Sequence, residues 1–168
     1  MEFDAGIAAL RITIGLIFAA HGAQKAFGWW NGPGYAGWTG SIGKMGFRPV
    51  AFWAFISVAA ELGAGLLLAL GLLIPLAAAG LVAQGIVIIG RVHWAKGFWS
   101  SNGGYEYPLS LLAGSVAIAL TGPGGWSPDA LLPVGLLYEP IIRWGVLLVA
   151  IAVAAAATFL ASRQTAAA

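Results

Sequence analysis

Residues 50–89 read VAFWAFISVAAELGAGLLLALGLLIPLAAAGLVAQGIVII, forty residues with a single charged side chain. As one helix this stretch would be about 60 Å long, roughly twice the thickness of the hydrocarbon core of a bilayer. It must therefore fold back on itself, and Gly71 and Pro75 supply the turn. The sequence predicts two membrane-spanning helices here, over residues 50–73 and 76–94.

Three further apolar stretches extend this pattern along the chain. Residues 5–27, 105–120 and 141–160 each predict another span, and the whole chain is 60% hydrophobic and only 8% charged. A mean hydropathy of +0.89 lies far outside the range of an ordinary soluble domain. We expect a single all-α domain, residues 1–168, that forms a polytopic membrane bundle of four helices plus a fifth C-terminal helix.

The connections between the spans are rich in glycine, proline and tryptophan. Residues 28–48 and 94–104 are predicted to be loops at the level of the lipid headgroups, and residues 121–140 a further loop. Six of the eight lysines and arginines lie in the first two loops, at the span ends that adjoin them, or in the tail: Lys25, Lys44, Arg48, Arg91, Lys96 and Arg163. Because positive charge is retained on the cytoplasmic side, five spans place the N-terminus outside and the C-terminus in the cytoplasm.

The charge and cysteine content excludes several kinds of function. A net charge of +2 without a dense basic run argues against nucleic-acid binding. A chain without cysteine holds no iron–sulfur cluster and relays no electrons through thiols, so redox chemistry would have to come from a partner or a bound cofactor. Two histidines without a short metal spacing favour interfacial hydrogen bonding over a metal site.

The charged residues inside the apolar stretches are the candidates for function, because a charge at the bilayer centre costs roughly 3 kcal/mol. At 3.6 residues per turn, Arg11 and Lys25 share one face of the first span with Gly15 and Gly22, and His21 lies at its edge. Small residues let a neighbouring helix approach closely in a membrane bundle. This face therefore predicts a close helix contact beside charged groups.

The second and fourth predicted spans repeat this combination of small and ionisable residues. In the second span Glu61 shares a face with Ser57, Gly65 and Leu68. The corresponding face of the fourth span is predicted to consist of Glu106, Ser110, Ala113 and Ala117. We expect the three faces to meet around one polar centre.

Two linked groups of polar side chains are predicted from the depth of each residue in its span. In the outer group, Arg11 pairs with Glu61. In the inner group, a carboxylate meets three basic side chains, and these four residues are Glu106, His21, Lys25 and His93. A buried pair can equally serve only to fix the register of the helices.

The order of these residues along the chain resembles the DoxX family of small bacterial four-helix membrane proteins. The resemblance covers about residues 8–130, and a fifth span departs from it. It is carried by Arg11 … His21-Gly22 … Lys25, Glu61-x-x-x-Gly65 … Gly71, Gly103-Gly104-Tyr105-Glu106 and Gly122-Pro123-Gly124 … Ser127 … Asp129.

The resemblance implies a subunit of a quinone-linked or oxidative-stress redox complex in the bacterial inner membrane, with lipid and other membrane subunits as partners. Any enzyme activity would be that of a quinone-linked oxidoreductase of which this chain is one subunit. The candidates for a catalytic role are Arg11, His21, Lys25, Glu61 and Glu106. The candidates for quinone binding are His21, Trp29, Trp30, His93 and Glu106.

Two other functions stay open at this point. The first is a non-catalytic accessory or scaffold subunit, in which the charged pairs lock the bundle and the glycine-rich faces dock a partner. The second is a small-solute or proton transporter with the polar centre as its pathway. It ranks last because the sequence shows neither an inverted repeat nor interrupted spans in corresponding halves.

Overall fold

The computed structural model describes residues 1–166 and contains helices and turns, with no β-strand in that range. The prediction of an all-α membrane helix bundle is confirmed. The main helices are α1 (Glu2–Phe27), α2 (Gly34–Lys44), α3 (Val50–Leu70), α4 (Ile74–Lys96), α5 (Glu106–Thr121) and α6 (Pro140–Ala166).

Four of these helices, α1, α3, α4 and α6, are long and apolar enough to cross a membrane. Helix α5 is apolar but has 16 residues, which at 1.5 Å per residue gives about 24 Å and falls short of the roughly 30 Å of hydrocarbon. Helix α4 is central, because α3, α5 and α6 all pack against it. The core consists of fully buried side chains such as Leu68, Leu81 and Ile118.

The turn between α3 and α4 lies where the sequence predicts it. Gly71 ends α3 in the left-handed conformation, with φ of 80°, and Pro75 occupies the first turn of α4. Proline is tolerated there because the first amide groups of a helix have no partner within the helix. The long apolar stretch therefore becomes an antiparallel pair of helices.

Helices α1 and α3 approach until their backbones touch. A Cβ atom on Gly15 would lie 2.5 Å from both the amide nitrogen of Ala69 and the carbonyl oxygen of Gly65. A Cβ atom on Gly65 would lie 2.7 Å from the amide nitrogen of Ala19. The expectation that small residues on this face permit a close helix contact is confirmed.

We expect Gly15→Ala to lower the free energy of unfolding by at least about 2 kcal/mol, because overpacking costs about 1–3 kcal/mol and backbone atoms cannot move aside. Gly6→Ala, on the same helix, is the matched control, since a Cβ atom on Gly6 would meet nothing within 4 Å. That control should be neutral or slightly stabilising. Unfolding in mixed detergent micelles, followed by circular dichroism, measures both; equal losses would contradict the close contact.

The segment 28–48 differs from the predicted loop, because most of it forms helix α2. This helix packs across α1 and α3 and buries Ile42, while Trp38 is half-buried. Four glycines in eleven residues give it poor intrinsic helix propensity. Packing against α1 and α3 overrides that propensity, which a local reading of the sequence does not include.

The face of α5 that packs on the bundle also differs from the prediction. Of the predicted residues, Ser110 and Ala113 are exposed, and the Ser110 hydroxyl donates to the Tyr107 carbonyl of its own helix. The buried face is instead made by Pro108, Leu111, Ser115, Ile118 and Ala119. Burial of large apolar side chains against α4 decides the rotation of the helix, rather than contact between small residues.

Candidate functional site

Four polar side chains form a buried network between α1, α3 and α4. Lys25 Nζ lies 2.5 Å from Glu61 Oε1, and the same oxygen accepts a hydrogen bond from Gln84 Nε2 at 2.9 Å. Gln84 Nε2 also donates to Ser57 Oγ at 2.9 Å. Glu61 is only 1% exposed. We call Lys25, Ser57, Glu61 and Gln84 the Glu61 network.

The predicted pair of Arg11 with Glu61 is wrong. Side chains of a helix lean toward its N-terminus, so Lys25 leans back to the level of Glu61 while Arg11 leans away from it. Arg11 Nη1 donates to the Ala69 carbonyl at 2.6 Å, and Nη2 donates to the Trp126 carbonyl. Arg11 therefore belongs to the opposite end of the bundle.

Two of the three helices that form the Glu61 network, α3 and α4, leave α-helical geometry near it. In α3 a π-helical segment, Ala59–Ala64, contains Glu61 itself. In α4 a second π-helical segment, Ile89–His93, begins just over one turn after Gln84. Short π segments occur frequently at functional sites, because the extra residue re-aims the side chains around it. The sequence carries no signal that predicts them.

An apolar cavity of 160 Å³ adjoins the Glu61 network. Its walls come from α2, α3, α4 and α6 and from the segment that precedes α3, and Ser57 and Gln84 are its polar members. Trp38 Nε1 is buried and has no hydrogen-bond partner within residues 1–166, whereas Trp53 Nε1 donates to the Arg48 carbonyl at 3.1 Å. We call this 160 Å³ cavity the tryptophan cavity and define it by Trp38, Ile42, Phe47, Trp53, Ser57 and Gln84.

Lys25 connects this cavity to the Glu61 network. Its Nζ lies 4.0 Å from the centre of the Trp38 ring, within the range of a cation–π contact. The ammonium group is thus held between an aromatic face and the Glu61 carboxylate. A substitution of Trp38 would therefore change the surroundings of the Lys25–Glu61 ion pair.

A second cavity, of 110 Å³, lies among α1, α3, α4 and α5. His93 Nδ1 lies 2.6 Å from the Gly103 carbonyl, and the His21 ring lies 6.4 Å from the Tyr107 ring. We call this the histidine cavity; its polar lining consists of His21, Lys25, Glu61, His93 and Tyr107.

The predicted inner group contained the right bases but the wrong carboxylate. His21, Lys25 and His93 come together around the histidine cavity with Glu61. Glu106 instead closes the loop before α5, where its Oε2 accepts a hydrogen bond from the Ser100 amide at 3.0 Å. The donor amide begins the short 3-10 turn Ser100–Asn102, so this contact stays within the loop and its junction with α5.

Trp29 and Trp30, predicted as ring-stacking candidates, lie on the surface. They are 55% and 65% exposed and pack edge to face on each other, with ring centroids 5.6 Å apart. This position suits tryptophans that anchor a protein at a membrane interface. The enclosed tryptophans are Trp38 and Trp53, which sequence reasoning did not single out.

Sequence reasoning also passed over Gln84. A polar amide in a span that is otherwise apolar over residues 76–89 is a signal that could have found it, since such groups need a partner inside a membrane. Trp38 offered no comparable signal, because its role depends on the unexpected helix α2. The missing information was tertiary rather than local.

A separate cluster ties the loop after α5 to the start of α4. Asp129, only 6% exposed, accepts hydrogen bonds from the amides of Leu73 and Ile74, both at 2.9 Å, and from the Tyr138 hydroxyl at 2.5 Å. Burial, followed by the bonded carboxylate, raises the pKa of Tyr138, so the phenol stays protonated and donates. We call Leu73, Ile74, Asp129 and Tyr138 the Asp129 latch.

Comparison with known proteins gives a family and a related protein. The sequence profile of the DoxX family matches residues 6–94, more than half of the 168 residues. The uncharacterized membrane protein Rv3486 of Mycobacterium tuberculosis is 28% identical over 138 residues, which cover 76% of this chain and 82% of that protein. No solved structure matches the chain significantly. The matched region contains all four residues of the Glu61 network.

Proposed function

The chain belongs to the DoxX family of membrane proteins, and from this premise we propose that it is a membrane subunit of a redox complex that binds one quinone-like ring in the tryptophan cavity. The Glu61 network would hold the proton that such chemistry requires. The observation that carries the proposal is an apolar cavity of ring size lined by Trp38, whose buried N–H has no partner within residues 1–166.

The volume of the tryptophan cavity supports a ligand with a single ring. An apolar cavity of about 150 Å³ is known to accommodate one benzene molecule, and this cavity measures 160 Å³. Phe47, Trp53 and Trp38 offer aromatic faces on which a flat ring packs favourably. A substrate with several fused rings would not fit without movement of the walls.

Two of the polar groups at this cavity are hydrogen-bond donors, which suits ring oxygens that accept. An unpaired buried N–H costs about 1–3 kcal/mol, and a carbonyl oxygen placed against Trp38 Nε1 would remove that cost. The Ser57 hydroxyl accepts from Gln84 and has a hydrogen left to donate. Two donors at one apolar cavity favour a dicarbonyl ring over a plain hydrocarbon.

The Glu61 network places a proton-carrying group next to this cavity. Gln84 bonds both Ser57, at the cavity, and Glu61, so the carboxylate is held one side chain away. A bound quinone would supply the two-electron chemistry that a cysteine-free chain lacks, with electrons from a partner subunit. This chain would position the ring, exclude water and accept a proton at Glu61.

Isothermal titration of the detergent-solubilised protein with a short-tailed benzoquinone tests the proposal. We expect Trp38→Phe to weaken binding about tenfold, because it removes one hydrogen bond of about 1 kcal/mol and part of the cation–π contact while keeping an aromatic ring. Trp53→Phe is the matched control, since the Trp53 N–H already bonds the Arg48 carbonyl. It should change the dissociation constant by less than about threefold.

The accessory-subunit alternative makes a different prediction for the same titration. If the tryptophan cavity were only a packing defect, toluene and the benzoquinone would bind equally well, and Trp38→Phe would affect neither. That result, or no binding at all by the wild-type protein, would contradict the proposed ring site. Recovery of a large membrane complex with both tryptophan variants would then favour a scaffold role.

A further inference from the structure

We infer that the histidine cavity is filled with water and is the route by which protons reach Glu61. The route would open on the side of the bundle that carries the loops after α1 and α4. This inference rests on the proposed proton-holding role of Glu61. It adds a second site, with water and protons as its ligands, at a cavity that Glu61 itself lines, whereas the tryptophan cavity is lined by Ser57 and Gln84.

The first observation is an unsatisfied oxygen on Glu61. Its Oε1 is occupied by Lys25 and Gln84, but its Oε2 is buried and has no partner in the described part of the chain. A carboxylate oxygen in so buried a position requires a donor, and water in the adjoining cavity would provide one. At about 30 Å³ per molecule, a cavity of 110 Å³ holds about three waters.

The second observation is the orientation of His93. Its Nδ1 faces the Gly103 carbonyl at 2.6 Å, and because a carbonyl only accepts, Nδ1 must carry a hydrogen. The other ring nitrogen, Nε2, is then the basic one in neutral imidazole and is free to take a proton. The ring can gain or lose that proton without breaking its bond to Gly103.

The third observation is the gradient of exposure along the cavity. His21 is exposed and Tyr107 is 45% exposed, whereas His93 is half-buried and Glu61 is 1% exposed. Glu61 is in contact with Lys25 from α1 and Gln84 from α4, and Gln84 also bonds Ser57 from α3. The other ionisable groups that line the cavity are His21 from α1, His93 from α4 and Tyr107 from α5. Polar groups thus extend from the surface to the buried carboxylate.

The proton transfer follows from these positions. A proton from solvent binds His93 Nε2 and gives an imidazolium ion. Passage through the cavity water to Glu61 Oε2 restores neutral imidazole and leaves a neutral carboxyl group. Lys25 keeps its ammonium charge throughout, so Glu61 gains one proton and His93 returns to its starting state.

Thiol labelling tests whether the cavity contains water, because the chain has no native cysteine. Leu111 lines the histidine cavity and is 8% exposed, whereas Ile118 on the same helix is 0% exposed in the apolar core. The reactive form of a thiol is the thiolate, and a thiol ionises to a thiolate only where water reaches it. We expect a small water-soluble methanethiosulfonate to label Leu111→Cys at least tenfold faster than Ile118→Cys in liposomes. Equal rates, measured by mass spectrometry, would overturn the hydrated cavity.

Infrared spectroscopy after a pH jump tests the route itself. The Glu61 carboxyl band is the one that Glu61→Gln removes, and its rise reports arrival of the proton. His93→Asn keeps an N–H donor near the Gly103 carbonyl but removes Nε2, and Leu111→Phe fills the cavity. We expect each to slow the rise at least tenfold.

Leu109→Phe is the matched control for the filled cavity, because Leu109 is 40% exposed on the outer side of the same helix. It should leave the rate unchanged. Wild-type rates in His93→Asn and Leu111→Phe, or the absence of a Glu61 band at any pH at which the protein stays folded, would overturn the proposal. The measurement uses no ring ligand, so it can fail while ring binding stands, and the reverse.

Discussion

Lys25→Met is expected to destabilise the protein by about 3–5 kcal/mol, because it leaves Glu61 as an uncompensated charge in a buried site. Glu61→Gln should cost less, since the Lys25 side chain is 13% exposed and its flexible stem can carry the ammonium group outward. The double variant should recover most of the loss. Removing both charges costs less unfolding free energy than leaving one of them buried without its partner.

A double-mutant cycle measures this interaction through the free energy of unfolding in mixed detergent micelles. We expect a coupling energy of at least about 2 kcal/mol between Lys25 and Glu61, because the two side chains are in direct contact. The same cycle with Arg11→Met and Glu61→Gln is the control and should be additive within about 0.5 kcal/mol. Additive losses for Lys25 and Glu61 would contradict the network.

Asp129→Ala is expected to cost about 3–5 kcal/mol of unfolding free energy. The substitution leaves three donors without their carboxylate, the amides of Leu73 and Ile74 and the hydroxyl of Tyr138. Hydrogen bonds to a charged group contribute about 1.5–3 kcal/mol each, and the losses overlap because the donors share one acceptor. Asp129→Asn keeps one acceptor oxygen and should cost about half as much.

Asp4→Ala is the matched control for the Asp129 latch. Asp4 accepts a hydrogen bond from the Gly125 amide in the same loop at 2.6 Å, but its side chain is 29% exposed. Its removal should cost much less than removal of Asp129, as for other solvent-screened charges. Unfolding in micelles and limited proteolysis of residues 122–139 measure both variants. Equal sensitivity of the two would show that the latch does not hold the loop.

The helical fold was predictable because the bilayer constrains it so strongly. A fixed hydrocarbon thickness sets the length of each span, and Gly71 with Pro75 left few ways to divide the long apolar stretch. The contact of α1 with α3 was predictable for a similar reason, since only one face of each helix carries Gly15 and Gly65. The formation of helix α2 was not predictable, because its stability comes from packing rather than from its glycine-rich sequence.

The candidate site was predictable in its ingredients more than in its connections. A charged residue inside an apolar span is conspicuous in the sequence, so Glu61, Lys25 and Arg11 were predictable as candidates. Which of them meet depends on the lean of each side chain and on two π-helical segments, and a helical wheel contains neither. The wheel therefore placed Arg11 with Glu61, although Lys25 reaches it.

Helix α6 lies outside the part of the chain that matches the family, yet it helps to line the tryptophan cavity. The Glu61 network lies wholly within residues 6–94, the part that matches the family, while Val153 and Ala154 of α6 complete one wall of the tryptophan cavity. Substitutions in α6 can therefore reshape the cavity without altering any member of the network. Under the proposed function, the ligand preference would be free to change in evolution while the residues around Glu61 stay the same, with α6 as the variable wall.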